Sequence, residues 1–401
     1  MRLDHAARLE RMLARHDDIQ VVDGASGNGT LIRKDQLLVV GRDADEVHSR
    51  ASRWVESRED DAAGFAVLHL RPSAKVDVCE LTTTLSGDSR HKRVNAGPNH
   101  ILMAAPHWGP GPFDDPAPVS IPPADPATGL PSKRDVVVAV LDTGIAAHPW
   151  FADRKWFADC GDAVREQPDV DQDSRLDSVA GHGTFIAGIV VQHAPDAAVK
   201  VGRIITGDGS TDELELLRGL ARLRASALAT NVPIDVISLS LGCYTHDDKP
   251  SPVVEHAFNS LDPDTVVVCC AGNCASDRPF WPAALKRVIA VGSLDARGHD
   301  RAEFSNYGWW VDACAIGDKV VSSFFTFDDH GPDGDENFNG FAEWSGTSFA
   351  APRVAAAIAT IVASDDVPAS RAAARLLNTA TNPSMPDLGV LVDAPAGGIS
   401  A

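Results

Sequence analysis

The run DVVVAVLDTG, residues 135–144, decides the fold of this chain. Residues 136–141 are unbroken apolar and mostly β-branched, and Asp-Thr-Gly closes the run. A half-exposed strand would alternate apolar with polar residues, so this one reads as a strand buried on both faces. The pattern recurs in AVKVGRII (198–205), IDVISLSLG (234–242), DTVVVCCAGN (264–273) and RVIAVGSLD (287–295). Helical stretches separate these runs: GHGTFIAGIVVQHA (181–194), DELELLRGLARLRASALA (212–229) and SPVVEHAFNSL (251–261). The alternation predicts an α/β fold, a parallel sheet with helices on both faces. In such a sheet the loops at the carboxyl ends of the strands build the site.

Upstream the pattern changes. DQLLVV (35–40), GFAVLHLRP (64–72) and NHILMAAP (99–106) read as strands. DADEVHSRASRWVES (43–57) reads as a helix with Val47, Ala51, Trp54 and Val55 on one face. KVDVCELTTTL (75–85) fits either state. Between the two patterns, residues 112–131 hold seven prolines, a composition that favours a stiff extended chain. The expected organisation is a small α+β unit over 1–111, a linker over 112–133 and an α/β unit over 134–401.

The chain carries 56 acidic against 36 basic residues, a formal charge of −20. That balance argues against a nucleic-acid or anionic-membrane partner. Leu3, Leu9, Met12 and Leu13 give the N-terminus helical spacing among many charges, without the apolar centre of a signal peptide. No run reads as a transmembrane segment, so a cytoplasmic location is expected. Seven cysteines, an odd number, do not suggest a disulfide framework, and CCAGNC lacks zinc-site spacing.

Four polar residues stand where strands end or helices begin. Asp142 follows the first buried run, where an Asx-turn would also suit it. His182 lies between Gly181 and Gly183 before an apolar helix, and the flanking glycines allow close backbone approach. Asn273 ends VVVCCAGN, a position equally suited to a turn. In AEWSGTSFAAPRVAAAIA (342–359), Thr347 and Ser348 enter a helix, where either one serves as an N-cap. An acid, an imidazole, an amide donor and a hydroxyl are together the parts of an acyl-transfer site.

Asp-Thr-Gly, Gly-His-Gly-Thr and Gly-Thr-Ser-x-Ala-x-Pro, in that order, resemble the subtilisin-like serine peptidases, or subtilases, over about residues 134–392. The resemblance implies Ser348 as nucleophile, His182 as general base and then acid, and Asp142 as the group that orients the imidazole. It implies Asn273 as an oxyanion donor. Ser240, Leu241 and Gly242 of ISLSLG would be the edge that pairs with an extended substrate. Ala271 and Gly272 would wall the side chain before the scissile bond. Phe185 replaces a second histidine common in relatives, and Cys243 a common glycine that borders a substrate subsite.

The resemblance further implies a prodomain-like role for residues 1–111, docked on the catalytic unit, with NHILMAAPHWGPGP as a tail that brings His107 and Trp108 near the groove. The implied partner is a protein or peptide substrate, and the chemistry needs no cofactor. Asp169, Asp171, Asp173 and Asp177 imitate the start of a calcium loop without its glycine and final glutamate. Structural calcium is compatible with them, as is a solvated loop. Residues 327–340, FDDHGPDGDENFNG, form an acidic insertion suited to a lid or an ion site. Two other functions fit the same sequence: a catalytically silent fold that binds a peptide or partner, and a maturation protease for one precursor.

Overall fold

A computed structural model describes residues 5–24, 29–87, 93–104, 115–127, 132–170, 172, 174–331 and 334–392. The N-terminal part runs α1 (His5–Arg15), β1 (Ile19–Asp23), β2 (Gly29–Val40), α2 (Ala44–Ala51), β3 (Val55–Asp61), β4 (Phe65–Leu70), α3 (Val78–Gly87) and β5 (Ala96–Met103). The helix expected over 43–57 stops at Ala51. Beyond it Val55 pairs with Leu70, and the antiparallel β3–β4 ladder captures residues that local spacing assigns to a helix. The ambiguous 75–85 stretch is helical, with Val78, Leu81 and Leu85 buried against β2 and β5.

The proline-rich segment contributes β6 (Ala117–Pro118). The larger part continues as β7 (Val137–Asp142), α4 (Pro149–Ala152), α5 (Lys155–Ala158), α6 (His182–His193), β8 (Ala198–Arg203), β9 (Ser210–Asp212), α7 (Glu213–Thr230), β10 (Val236–Leu239), α8 (Pro252–Asn259), β11 (Val266–Cys270), β12 (Val288–Leu294) and β13 (Ala313–Ile316). It closes with β14 (Val320–Gly331), β15 (Gly334–Trp344), α9 (Thr347–Asp365), α10 (Ala369–Leu376), β16 (Ser384–Met385) and β17 (Gly389–Leu391). The acidic insertion is thus part of a β-hairpin, β14 against β15, whose buried Phe324, Phe338 and Trp344 join the main core. Its strand β15 also pairs with β6, so part of the proline-rich segment lies on this hairpin. Pro118 is tolerated there because β6 is an edge strand.

The main sheet has the order β16-β17-β13-β12-β11-β10-β7-β8, parallel except at β16. Its strands are buried almost throughout, as their unbroken apolar composition requires. The fold is α/β, as expected, with helices packed on the parallel sheet. After β7 the chain adds β8 on one side and then builds β10 to β13 on the other, so the carboxyl end of β7 is a topological switch point, where such sheets place their site. Helix α9 packs across β10 to β13 and against α6. It is apolar enough to span a membrane, but 67% of that window is buried in the protein, which marks it as a core helix. A second sheet, β3-β4-β2-β5-β9, joins the N-terminal strands to β9 of the larger part.

Candidate active site

Asp142 ends β7 at the switch point and is 0% exposed. Its Oδ1 accepts from Thr143 N at 2.8 Å and from His182 Nδ1 at 2.8 Å. A carboxylate only accepts, so the imidazole proton sits on Nδ1 and Nε2 is left basic. Asp142 Oδ2 is buried without a hydrogen-bond partner among the described residues. That oxygen's charge is available to stabilise an imidazolium formed beside it.

Glycine brings the two loops together. Gly181 has φ +84° and a Cβ there would lie 2.3 Å from the Phe324 ring, while a Cβ on Gly183 would lie 2.4 Å from the Gly144 carbonyl. Only glycine lets α6 begin this close to the end of β7. Glu166, which the sequence reading did not single out, ties the same two loops. Its Oε1 accepts from Gly181 N at 2.9 Å, its Oε2 from Thr184 Oγ1 at 3.1 Å, and it also accepts from the Thr143 hydroxyl. Thr143 Oγ1 in turn accepts from Gly183 N at 2.9 Å. Burial raises the Glu166 carboxyl above its usual range, and these donors offset part of that rise.

The third element is the start of α9. Neither Thr347 nor Ser348 caps the helix, whose N-cap is Gly346 with no side-chain cap bond. Thr347 donates instead to Asn273 Oδ1, from N at 2.8 Å and from Oγ1 at 2.7 Å. With Oδ1 held by two donors, the Asn273 amide NH₂ is turned to the other side, and Asn273 and Ser348 line one cavity. The Ser348 hydroxyl lies within hydrogen-bonding reach of Cys270, whose thiol burial pushes up to about 12, so it stays neutral. Phe349 packs its ring 5.4 Å from the His182 ring, and Trp344 lies 5.5 Å away on another side. Asp142, His182, Asn273 and Ser348 come from four segments far apart in sequence, and each is 6% exposed or less.

The model of the Subtilase family matches residues 133–392. The chain belongs to the subtilase family. It is 34% identical over 238 residues to a thermophilic serine proteinase of Bacillus sp. (strain AK1), covering 57% of this chain and 52% of that protein. It is 32% identical over 254 residues to thermitase of Thermoactinomyces vulgaris, covering 61% of this chain and 80% of that one. Among solved structures, a protease from Pseudoalteromonas arctica PAMC 21717 superposes with TM-score 0.50 at 26% identity, over 64% of this chain and 87% of that one. The chain therefore spans about half the length of the first of these relatives and most of the second.

The remaining residues that the sequence singles out in this subtilase sort by position. Ser240 Oγ donates to the Ser348 carbonyl at 2.9 Å, and Gly242, which lines the cavity, exchanges backbone hydrogen bonds with Met103 at 2.8 and 3.1 Å. Leu241 is buried in the main core. Ala271 is buried with its N donating to Val291 O at 2.9 Å, and Gly272 N donates to Thr347 Oγ1 at 3.1 Å. Phe185 is core, its ring 4.6 Å from Phe349, which ties α6 to the start of α9. Cys243 is buried and exchanges backbone hydrogen bonds with Trp281 at 2.8 and 2.9 Å.

All seven cysteines are free thiols. Among the described residues no group of three His, Cys, Asp or Glu side chains is placed to hold a metal. Asp169 Oδ2 accepts from Ser174 N and Asp177 Oδ2 from Val170 N, both at 2.9 Å. Asp171 and Asp173 lie outside the described residues, as do His107, Trp108 and the side chains at the hairpin tip.

Proposed function

We propose that this subtilase is a serine endopeptidase that cleaves protein or peptide substrates through an acyl-enzyme. The observation that carries the reading is the 2.8 Å bond from His182 Nδ1 to a fully buried Asp142, set beside a helix start whose serine does no capping. His182 Nε2 takes the Ser348 Oγ proton as the oxygen attacks the scissile carbonyl, then returns it to the leaving amine. Asp142 holds the tautomer and stabilises the imidazolium. The Asn273 amide and the Ser348 N–H receive the oxyanion. The reaction needs no cofactor.

The N-terminal part restrains this site. β5 lies between β2 and β9, pairs Ile101–Met103 with Ser210–Asp212, and bonds to Gly242 on its other side. A substrate held by β-augmentation would run along the same edge, so β5 and substrate compete.

Full-length protein is treated with a fluorophosphonate probe beside Ser348→Ala and Met103→Pro variants. Labelling at Ser348 in the wild type and its loss in Ser348→Ala are expected. Met103→Pro removes the donor to Gly242 O and should speed labelling. A wild type that neither labels nor hydrolyses peptides favours the silent binding fold, and unchanged labelling by Met103→Pro removes the restraint.

A further inference from the structure

On the likeness to subtilases, the side chain that precedes the scissile bond would enter the gap between residues 240–242 and 271–273, next to Ser348. In this chain the gap is largely filled. Cys243 and Trp281 pair backbone to backbone at 2.8 and 2.9 Å, which pins Phe280 beside Gly242. A Cβ on Gly242 would lie 2.3 Å from Phe280 Cε1, and one on Gly272 would lie 3.1 Å from Phe280 Cδ1. The ring is thus wedged between the two segments. It is itself 8% exposed and backed by Tyr244, ring centres 5.2 Å apart. Tyr244 cannot swing away freely, because Asn306 Nδ2 donates to its hydroxyl at 2.9 Å and Arg278 stacks 4.6 Å from its ring.

What remains is a cavity of about 40 Å³, bordered by Ser348, Gly272, Gly242 and Phe280 and closed on the side of the N-terminal part by Leu31 and Met103. A cavity that holds benzene measures about 150 Å³. A substrate that displaces β5 opens that outer side and leaves the Phe280 ring as the inner wall, so the space between the two segments takes a methyl or hydroxymethyl group and no ring.

We propose that Phe280 determines specificity here, restricting the residue before the scissile bond to glycine, alanine or serine. This rests on the peptidase reading above. A large side chain would have to displace Phe280 from a packed position, and overpacked sites do not absorb such volume. Exclusion on the order of a hundredfold is expected.

The test uses the full chain and two peptide p-nitroanilides identical except for Ala or Phe at the last position, with fluorophosphonate labelling in parallel. Their kcat/KM ratio is the readout, since occlusion by β5 slows both peptides alike. The wild type should favour Ala by about a hundredfold. Phe280→Ala should lower that ratio by at least about tenfold, and Phe280→Leu by less. If thermal melting shows Phe280→Ala unfolded, Phe280→Leu carries the comparison. A labelled wild type that cleaves the Phe peptide as well as the Ala peptide overturns the proposal, as does a ratio indifferent to position 280. A wild type that neither labels nor cleaves overturns the peptidase reading and this inference with it.

Discussion

Ser240 Oγ donates at 2.9 Å to the carbonyl of Ser348, an acceptor that the helix itself cannot use. In an α-helix that carbonyl would receive the N–H four residues on, which here is Pro352 and has none. Proline inside α9 therefore frees the backbone of Ser348 to be held by the strand end that would carry the substrate. Ser240→Ala leaves a buried carbonyl unpaired, a loss of about 1–3 kcal/mol in urea unfolding. If Ser240→Ala unfolds at the wild-type midpoint, the bond contributes nothing.

Asn273→Ala should lower kcat by roughly 10²–10³ with little change in KM, a magnitude already measured for the corresponding donor of subtilisin. The stability change should be separable, because Thr347 also loses its acceptor. Steady-state kinetics at saturating peptide check the point: a raised KM at unchanged kcat would assign Asn273 to substrate binding instead.

Glu166→Gln keeps the size of the side chain but offers one oxygen where three donors converge. One donor is stranded, so stability should fall by about 1–3 kcal/mol. Urea unfolding of Glu166→Gln beside the wild type checks the point: an unchanged midpoint would remove these bonds from the energetics of the two loops.

His148 is 4% exposed, and burial lowers its pKa to about 4. Unfolded, it titrates near 6.5, so below that pH the unfolded state binds the extra proton. Its contribution is intact above about pH 6.5 and is lost progressively as pH falls to about 4. The loss amounts to about 3 kcal/mol at most. His148→Asn keeps an acceptor for Trp150 N, which His148 Nδ1 caps at 3.1 Å, and should flatten that slope in urea unfolding between pH 7 and 4.5. An unaltered slope would assign the acid lability elsewhere.

Across the β5 interface, His100 Nδ1 meets Glu213 Oε1 at 2.9 Å with both side chains 2% exposed, and His100 Nε2 meets His246 Nδ1 at 3.3 Å. Ser251 Oγ donates to the other Glu213 oxygen at 2.9 Å. Burial, then the His100 charge, lowers the His246 pKa. Protonating His246 puts a charge into this half-buried cluster, so protection of the Ile101–Met103 amides from hydrogen exchange should fall as pH drops below about 6.5. Glu213→Gln should weaken that protection already at neutral pH. Equal protection in both proteins at pH 7 would remove the His100–Glu213 hydrogen bond from the interface energetics.

Sequence alone determined the buried parallel strands of this subtilase, because a strand covered on both faces must be apolar at every position and residues 136–141 announce it. It also displayed the chemical types at the strand ends, Asp142, His182 between Gly181 and Gly183, Asn273 and Ser348, although the reason for the glycines is the close approach of Phe324 and Gly144. Local patterns misread residues 52–57, where cross-strand pairing, a nonlocal interaction, overrides helical spacing, and they left 327–340 without an element that pairing of β14 with β15 supplies. Only the tertiary structure decided whether Thr347 or Ser348 caps the helix, because that depended on Asn273 reaching Thr347, and Cys270 reaching Ser348, from the end of another strand. Glu166 and Phe280 were invisible for the same reason. Each acts by filling space or pairing with segments distant in sequence, and nothing in its own neighbourhood along the chain encodes which neighbours folding will supply.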